Sequence, residues 1–433
     1  MRVLEGVSDA PGAKRINVSE VPRVIKRNTL LLATSQAIVG IGNQMVPTLT
    51  ALMIEQLLRS ATFAGLGYSA LGLSRFLVAY PLGQLSDRRG RKAGLMLGLV
   101  VSLVGSLGLT AAQVLQSFPL FCAALLVFGL GVGAAQQLRL AAADMFPPHR
   151  RAEGLGYVLT GSLVGAMGGP VLITLAQAAA PGLGLDPIAT SWLFVPALIL
   201  PTILLVALLR PDPRTIALNL SRYYPGLTAE TIATDVHEPS PAARTLFNDA
   251  SMRVATANSV AAYGTMSMMM ALTPLSMSHH GATLQEISLS VALHVVGMFA
   301  FSLPLGWLAD RVGRRNILIA GGVISAVGAV LVPFSEDYWL ATAGIFLVGV
   351  GWSCANVAAT AIIADTTAPR QRGRAIGIND ALSGAASIAT PILGGLLVQF
   401  VGMPSLAIAS VVLLSLPLVM TVGLQEHPRK RPA

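Results

Sequence analysis

Charge is scarce in this chain: only 11% of its 433 residues are Asp, Glu, Lys or Arg. A soluble domain carries about a quarter, so an ordinary water-facing surface is excluded. Cysteine is nearly absent as well. Cys122 and Cys354 both lie in apolar runs, which gives no disulfide framework and marks them as packing residues. No cleavable leader is expected, because the first 28 residues are polar and basic with no apolar run before Thr29. Outside two short basic segments there is no nucleophile–base pair, phosphate loop or carboxylate pair. Enzyme chemistry is therefore not expected.

What fills the chain instead is apolar residue and glycine, 54% and 43 residues respectively. Such a composition is built against lipid, with Gly and Ala as contact surfaces between helices. Twelve apolar spans are read near 29–54, 61–83, 94–113, 119–142, 154–178, 189–209, 253–277, 284–307, 316–335, 338–363, 374–400 and 404–424. Each is long enough to cross roughly 30 Å of hydrocarbon as a helix. A formal charge of +9 suggests a nucleic-acid partner in a soluble protein, but its distribution argues otherwise. With the N-terminus in the cytoplasm, 26 of the 29 Lys and Arg residues fall in cytoplasmic segments; only Arg59, Arg75 and Arg139 do not. The basic excess reads as topology, with both termini cytoplasmic and no nucleic acid involved.

One short sequence occurs twice, 223 residues apart: Pro81 to Lys92 (PLGQLSDRRGRK) and Pro304 to Arg315 (PLGWLADRVGRR), identical at eight of twelve positions. The repetition continues beyond it. Asp144 corresponds to Asp365 and Pro170 to Pro391, both at an offset of 221. A duplicated, basic, Gly-containing hinge between apolar spans predicts two related halves. Five prolines between Arg210 and Met252 argue against one continuous helix there, so this stretch reads as a linker with a short surface helix around 215–223. The expected organisation is a cytoplasmic tail at 1–28, a six-helix bundle at 29–209, a cytoplasmic linker at 210–252, a second six-helix bundle at 253–424 and a tail at 425–433.

Both hinges match G-x-L-[SA]-D-R-x-G-R-[RK], the signature between the second and third helices of the Major Facilitator Superfamily, which the chain resembles over essentially its whole length. The resemblance implies an all-α membrane fold of twelve transmembrane helices in two pseudo-symmetric halves that rock about a central cavity. It also implies gating roles for Gly83, Asp87, Arg88, Gly90, Arg91 and Asp144, and for Asp310, Arg311, Gly313, Arg314 and Asp365. Gly83 and Gly90 would let helices approach closely. Asp87 would face the positive N-terminus of a helix in the other half. Arg91 would bridge to Asp144 as Arg314 would to Asp365, latching the cytoplasmic side shut. The drug/proton antiporter pattern G-x-x-x-G-P-x-x-G-G is incomplete: Gly165 to Pro170 is followed by Val-Leu-Ile-Thr.

Ionisable groups at membrane depth mark candidate sites, because each is costly without a partner. No carboxylate lies mid-span; Glu55, Asp144, Glu286 and Asp380 are all near span ends. Arg75 is the mid-span cation of the second span, and Asn43 and Gln44 are further cavity candidates. Arg75 either receives an anionic substrate or bonds the carbonyls and amides of neighbouring helices; the sequence leaves both open. His294 is the mid-span titratable group of the eighth span.

The seventh span holds five of the fifteen methionines: Met266, Met268, Met269, Met270 and Met277. Met266 and Met270 share a helical face, as do His294 and Met298 on the eighth span. Thioethers with an imidazole select Cu(I), although a methionine stripe also serves as plain packing. The M-x-x-x-M and H-x-x-x-M pair, within the wider Ser276–Phe299 stretch, resembles the bacterial copper importers of this superfamily that supply cytochrome oxidase assembly. That resemblance implies copper held by Met266, Met270, His294 and Met298, with His279, His280 and Met277 as the access route. The same branch resembles riboflavin transporters.

The expectation is a secondary transporter of the cytoplasmic (inner) membrane, monomeric in the bilayer, importing a small substrate with no permanently bound cofactor. Copper is the favoured cargo. The alternative is an organic solute, riboflavin or a drug-like amphiphile, contacting Asn43, Gln44, Tyr263 and Asn356, with His294 as proton carrier. A non-transporting sensor acting through the linker is the third reading.

Overall fold

The computed structural model describes residues 21–60, 63–135, 137–147, 150–224, 247–367 and 371–424, and every regular element among them is helical. Lipid offers the backbone no water to bond, so each crossing must close its own hydrogen-bond ladder. In chain order the helices are α1 (Arg23–Asn43), α2 (Met45–Leu58), α3 (Leu66–Arg89), α4 (Arg91–Val114), α5 (Phe118–Ala135), α6 (Gln137–Asp144), α7 (Arg151–Leu183), α8 (Pro187–Ala207), α9 (Pro213–Ala217) and α10 (Leu220–Tyr223). The second half has α11 (Ala250–His279), α12 (Leu284–Phe299), α13 (Ser302–Val312), α14 (Arg314–Phe334), α15 (Tyr338–Thr366), α16 (Arg372–Val401) and α17 (Ser405–Val422). Three pairs, α1–α2, α5–α6 and α12–α13, run on as broken crossings, and α9 and α10 are short. Twelve crossings result, six in each half.

Ten crossings are long and apolar enough to span a membrane by composition alone. The two exceptions are α3, which carries Ser69, Ser74 and Arg75 among its apolar residues, and α11, which is interspersed with Asn258, Ser259, Thr265, Ser267 and Thr273. Both are long helices that carry polar residues inward, so their low hydropathy reflects what they line.

Two of the breaks have a local cause. Pro47 and Pro304 each remove a ladder bond and crowd the carbonyl four residues back, at Asn43 and Ala300. There the first and eighth crossings interrupt. At Pro170, Pro274 and Pro391 the same defect is carried inside continuous helices.

Packing within each half depends on small residues. On α7, a Cβ at Gly161 would sit 2.3 Å from the Ala33 carbonyl oxygen of α1, so only glycine permits that approach. Phe128 and Trp192 meet edge to face at 5.3 Å between centroids. The Trp192 indole N–H is directed at the Met53 sulfur, 3.0 Å away.

The duplicated hinges have nearly the same backbone. Gly90 has φ +99° and Gly313 φ +95°, conformations that side chains strongly resist. Their glycines therefore serve the turn between helices. In the first half the hinge is also clasped from outside. The Asp212 carboxylate accepts from the backbone N–H of Arg91 at 3.1 Å and Lys92 at 2.9 Å, capping α4, and from Arg214 N–H at 2.8 Å, capping α9. A Cβ at Gly90 would lie 2.6 Å from an Asp212 oxygen. Around this cap, Asn28 donates to the Pro211 carbonyl at 3.0 Å and Arg27 to the Leu208 carbonyl at 3.0 Å.

The segment expected to be linker from Arg210 thus remains packed on the first half as far as Tyr224, in two short helices rather than one. Ile216, Leu220 and Tyr224 are buried, and burial pushes the Tyr224 phenol up to about 12 against the opposing effect of Arg150. The tails 1–20 and 425–433 and the segment 225–246 lie outside the described residues.

One carboxylate capping two helices should matter to stability. Asp212→Ala is expected to lower the detergent-solubilised melting temperature, at a cost of about 1–2 kcal/mol, and Asp212→Asn to recover part of it. Thermal unfolding of the purified variants checks this; unchanged melting would show that the cap is dispensable.

Candidate functional site between the two halves

The side carrying the two hinges is called here the hinge side. Each hinge arginine finds its acid within its own half: Arg91 Nε donates to Asp144 Oδ2 at 2.7 Å, and Arg314 pairs with Asp365. Arg88 is exposed, and its carbonyl accepts from Arg214 at 3.4 Å. Asp310, Arg311, Gly313, Arg314 and Asp365 line a hinge-side hollow, where the Arg311 guanidinium lies 3.6 Å above the Trp307 ring. The side chains of Gly83 and Asp87 lie outside the described residues, so the expected Asp87–helix contact does too.

Among the described residues, several ties between the halves lie on the opposite side. His279 and Glu55 meet at 2.6 Å, joining the end of α11 to the end of α2. Ser69 donates to the Ile388 carbonyl at 2.7 Å, and α3 lies so close to α16 that a Cβ at Gly65 would fall 1.8 Å from the Pro391 oxygen. Gly169 on α7 sits against Gln44 and Ser288. The hinge pairs therefore brace each half internally, while the halves are closed on each other at the far side.

At mid-depth the second half contributes an aromatic cage. Trp352 on α15 is met edge-on by Tyr263 of α11 at 5.1 Å and by Phe299 of α12 at 5.8 Å. The Tyr263 hydroxyl donates to Asn356 Oδ1 at 3.5 Å. The Trp352 indole N–H is buried without a partner. On α12, His294 is fully buried, with Nδ1 2.6 Å from the Ile345 carbonyl of α15. A carbonyl only accepts, so Nδ1 carries the proton and Nε2 presents a lone pair. That Nε2 has no partner. The approach of α12 to α15 depends on Gly349, where a Cβ would lie 2.4 Å from the His294 carbonyl oxygen.

The first half adds Tyr68, Arg75 and Arg139. Tyr68 directs its hydroxyl at the Met266 sulfur, 3.9 Å away, across the divide. Arg75, Arg139 and Tyr263 lie within electrostatic reach of one another. Gln44 sits at the break between α1 and α2, its amide nitrogen buried and unpartnered. Asn43 instead lines a small apolar hollow inside the first half with Ser102 and Phe128.

The methionine–histidine set is dispersed in direction. Met266, Met270 and Met277 are buried, as is Met298. Met266 faces Tyr68 of α3, whereas His294 is oriented toward α15. Met268 packs on Gly394 of α16. The access-route imidazoles are engaged, His279 with Glu55 and His280 Nδ1 with the Ser276 carbonyl at 2.8 Å. Met277 and His280 border a far-side hollow with Glu286 and Tyr338. Among the described residues no three His, Cys, Asp or Glu side chains gather as a metal site.

Sequence reasoning passed over Trp352, Tyr68 and Arg139. The available signal was their mid-span position in a chain with only four tryptophans and three basic residues off the hinge side.

With this geometry established, the family follows. The Major Facilitator Superfamily profile matches residues 32–243 and 254–433, and the chain belongs to that family of membrane transporters. It is 28% identical to the MFS-type transporter YddS of Bacillus subtilis (strain 168), over 96% of this chain and 94% of that one. It is 26% identical to the riboflavin transporter RfnT of Brucella anthropi, over 86% and 89%. Among solved structures, a bacterial homologue of the human lysosomal transporter Spinster, in an inward-facing and occupied conformation, superposes with a TM-score of 0.67 at 13% identity. That match covers 92% of this chain and 95% of the other.

If the Glu55–His279 pair helps hold the far side closed, Glu55→Gln should loosen it. Spin labels on Leu58→Cys and Ala282→Cys, in a Cys122→Ser/Cys354→Ser background, are expected to show a longer-distance population in that variant. An unchanged distribution would reduce the pair to a surface contact.

Proposed function

We propose that this protein is a secondary transporter of a small organic solute, moved by alternating access through the cavity between its halves. The observation that carries the reading is the cage around Trp352. Tyr263 and Phe299 meet Trp352 edge to face, and the Trp352 indole N–H and the His294 Nε2 lone pair, on neighbouring helices, are both buried without a partner. Buried polar atoms without partners are rare, and at mid-membrane they are best understood as awaiting a cargo with ring surface and complementary donors and acceptors. Likeness to a protein named as a riboflavin transporter supports the same class.

In this reading the hinge side faces the cytoplasm, both termini are cytoplasmic, and transport across the inner membrane is inward. His294 is the candidate proton carrier. The chain acts as a monomer in lipid, with no bound cofactor and no nucleic-acid partner. The hinge pairs Arg91–Asp144 and Arg314–Asp365 brace the bundles as they rock, and Asp87 and Asp310 complete the cytoplasmic latch.

Copper import is the second reading, favoured by one feature: ligating imidazoles commonly donate their other N–H to a backbone carbonyl, as His294 does. It requires Met266 to turn from Tyr68 of α3 toward His294.

Flux into proteoliposomes separates the two. Riboflavin or flavin mononucleotide (FMN) is expected to enter faster than through protein-free vesicles. Trp352→Leu should lower that flux about tenfold, and Met270→Leu should leave it nearly intact. Cu(I) entry abolished by Met270→Leu and His294→Ala, without flavin movement, would establish the metal reading instead.

A further inference from the structure

We propose that Arg75 anchors an anionic group of the transported solute, which makes the cargo class aromatic or amphiphilic organic anions; this rests on the organic-solute reading above. The sequence left two fates for this guanidinium, ligand or structural tether. The structure gives it no tether. Its Nε is buried without an acceptor, and its side chain forms no hydrogen bond or ion pair with any described residue. A structural arginine in a membrane protein is held by carbonyls or carboxylates, because hydrocarbon supplies nothing else. An arginine kept there without either is one whose partner arrives from outside.

Its placement supports that role. Arg75 lies two turns along α3 from Tyr68, on the same face, which the Tyr68–Met266 contact turns toward the second half. Its stem packs on α5 at Gly133, where a Cβ would lie 3.2 Å from the Arg75 Cα, so the backbone behind it is fixed. Arg139 on α6 lies within electrostatic reach, adding a second positive charge to the same wall. Across the divide stand Tyr263 and, beyond it, Asp380, an exposed carboxylate within reach of Tyr263. Arg75, with no hydrogen bond or ion pair among the described residues, places a positive charge on this wall that favours an anion. The Trp352 cage then receives the ring system while Arg75 holds the charge. Guanidinium is suited to this, since its fork matches carboxylate and phosphate oxygens.

Riboflavin and FMN share one ring system and differ by a phosphate, so their flux ratio isolates the charge. Wild-type protein in proteoliposomes should move FMN faster than riboflavin. Arg75→Gln should cut FMN flux about tenfold or more while sparing riboflavin, and Arg75→Lys should retain part of it. A second readout needs no ligand: removing an unpaired buried cation should raise the melting temperature of Arg75→Gln, whereas removing a structural tether lowers it. Riboflavin moving faster than FMN, with a ratio indifferent to Arg75→Gln, would overturn the anion assignment and leave the organic-solute reading standing. Lower melting of Arg75→Gln would overturn it as well. Copper flux with neither flavin moving would remove both.

Discussion

A polar group in hydrocarbon has no water to turn to, and most of this structure is an answer to that constraint. Backbone amides close on themselves as helices. Side-chain hydroxyls bond back along their own helix, as Thr50 does to the Val46 carbonyl. Glycines let backbones touch where bulkier residues would hold them apart. Between the halves, Arg75 Nε, His294 Nε2, the Trp352 N–H and the Gln44 amide nitrogen are buried without partners.

Much of the architecture was legible because it is written twice. Two hinges at a fixed offset told which residues belong together, and the Arg91–Asp144 and Arg314–Asp365 contacts follow from that alignment alone. Features present once had no second copy to announce them. Asp212 is an ordinary Pro-Asp-Pro residue in sequence, and only folding brings it beneath two helix ends. Glu55 and His279 are 224 positions apart, on the last turns of two helices that no local pattern relates. Helix breaks at Pro47 and Pro304 were hidden by prolines of equal local chemistry that break nothing. Methionine direction was the least readable, since one residue along a helix turns a side chain by about 100°. Met266 and Met268 accordingly face α3 and α16.

On the seventh and eighth crossings the candidate site takes its chemistry from neighbouring helices as well as from its own residues. Their polar content, visible in sequence, is the reason α11 falls below ordinary hydropathy, and both crossings do line the space between halves. The donors there, however, include indole, phenol and guanidinium as well as sulfur. Which set meets the cargo depends on neighbours from α3 and α15, elements that no local pattern ties to α11 and α12.

The clasp at Asp212 bears on how the molecule can be divided. The chain remains bound to the first bundle as far as the buried Tyr224. The first bundle is thus a unit that ends in its own fastening rather than at the membrane surface. Its twin is spliced on downstream of that fastening, so the seam where an ancestral pair of separate polypeptides could be cut apart again lies beyond Tyr224.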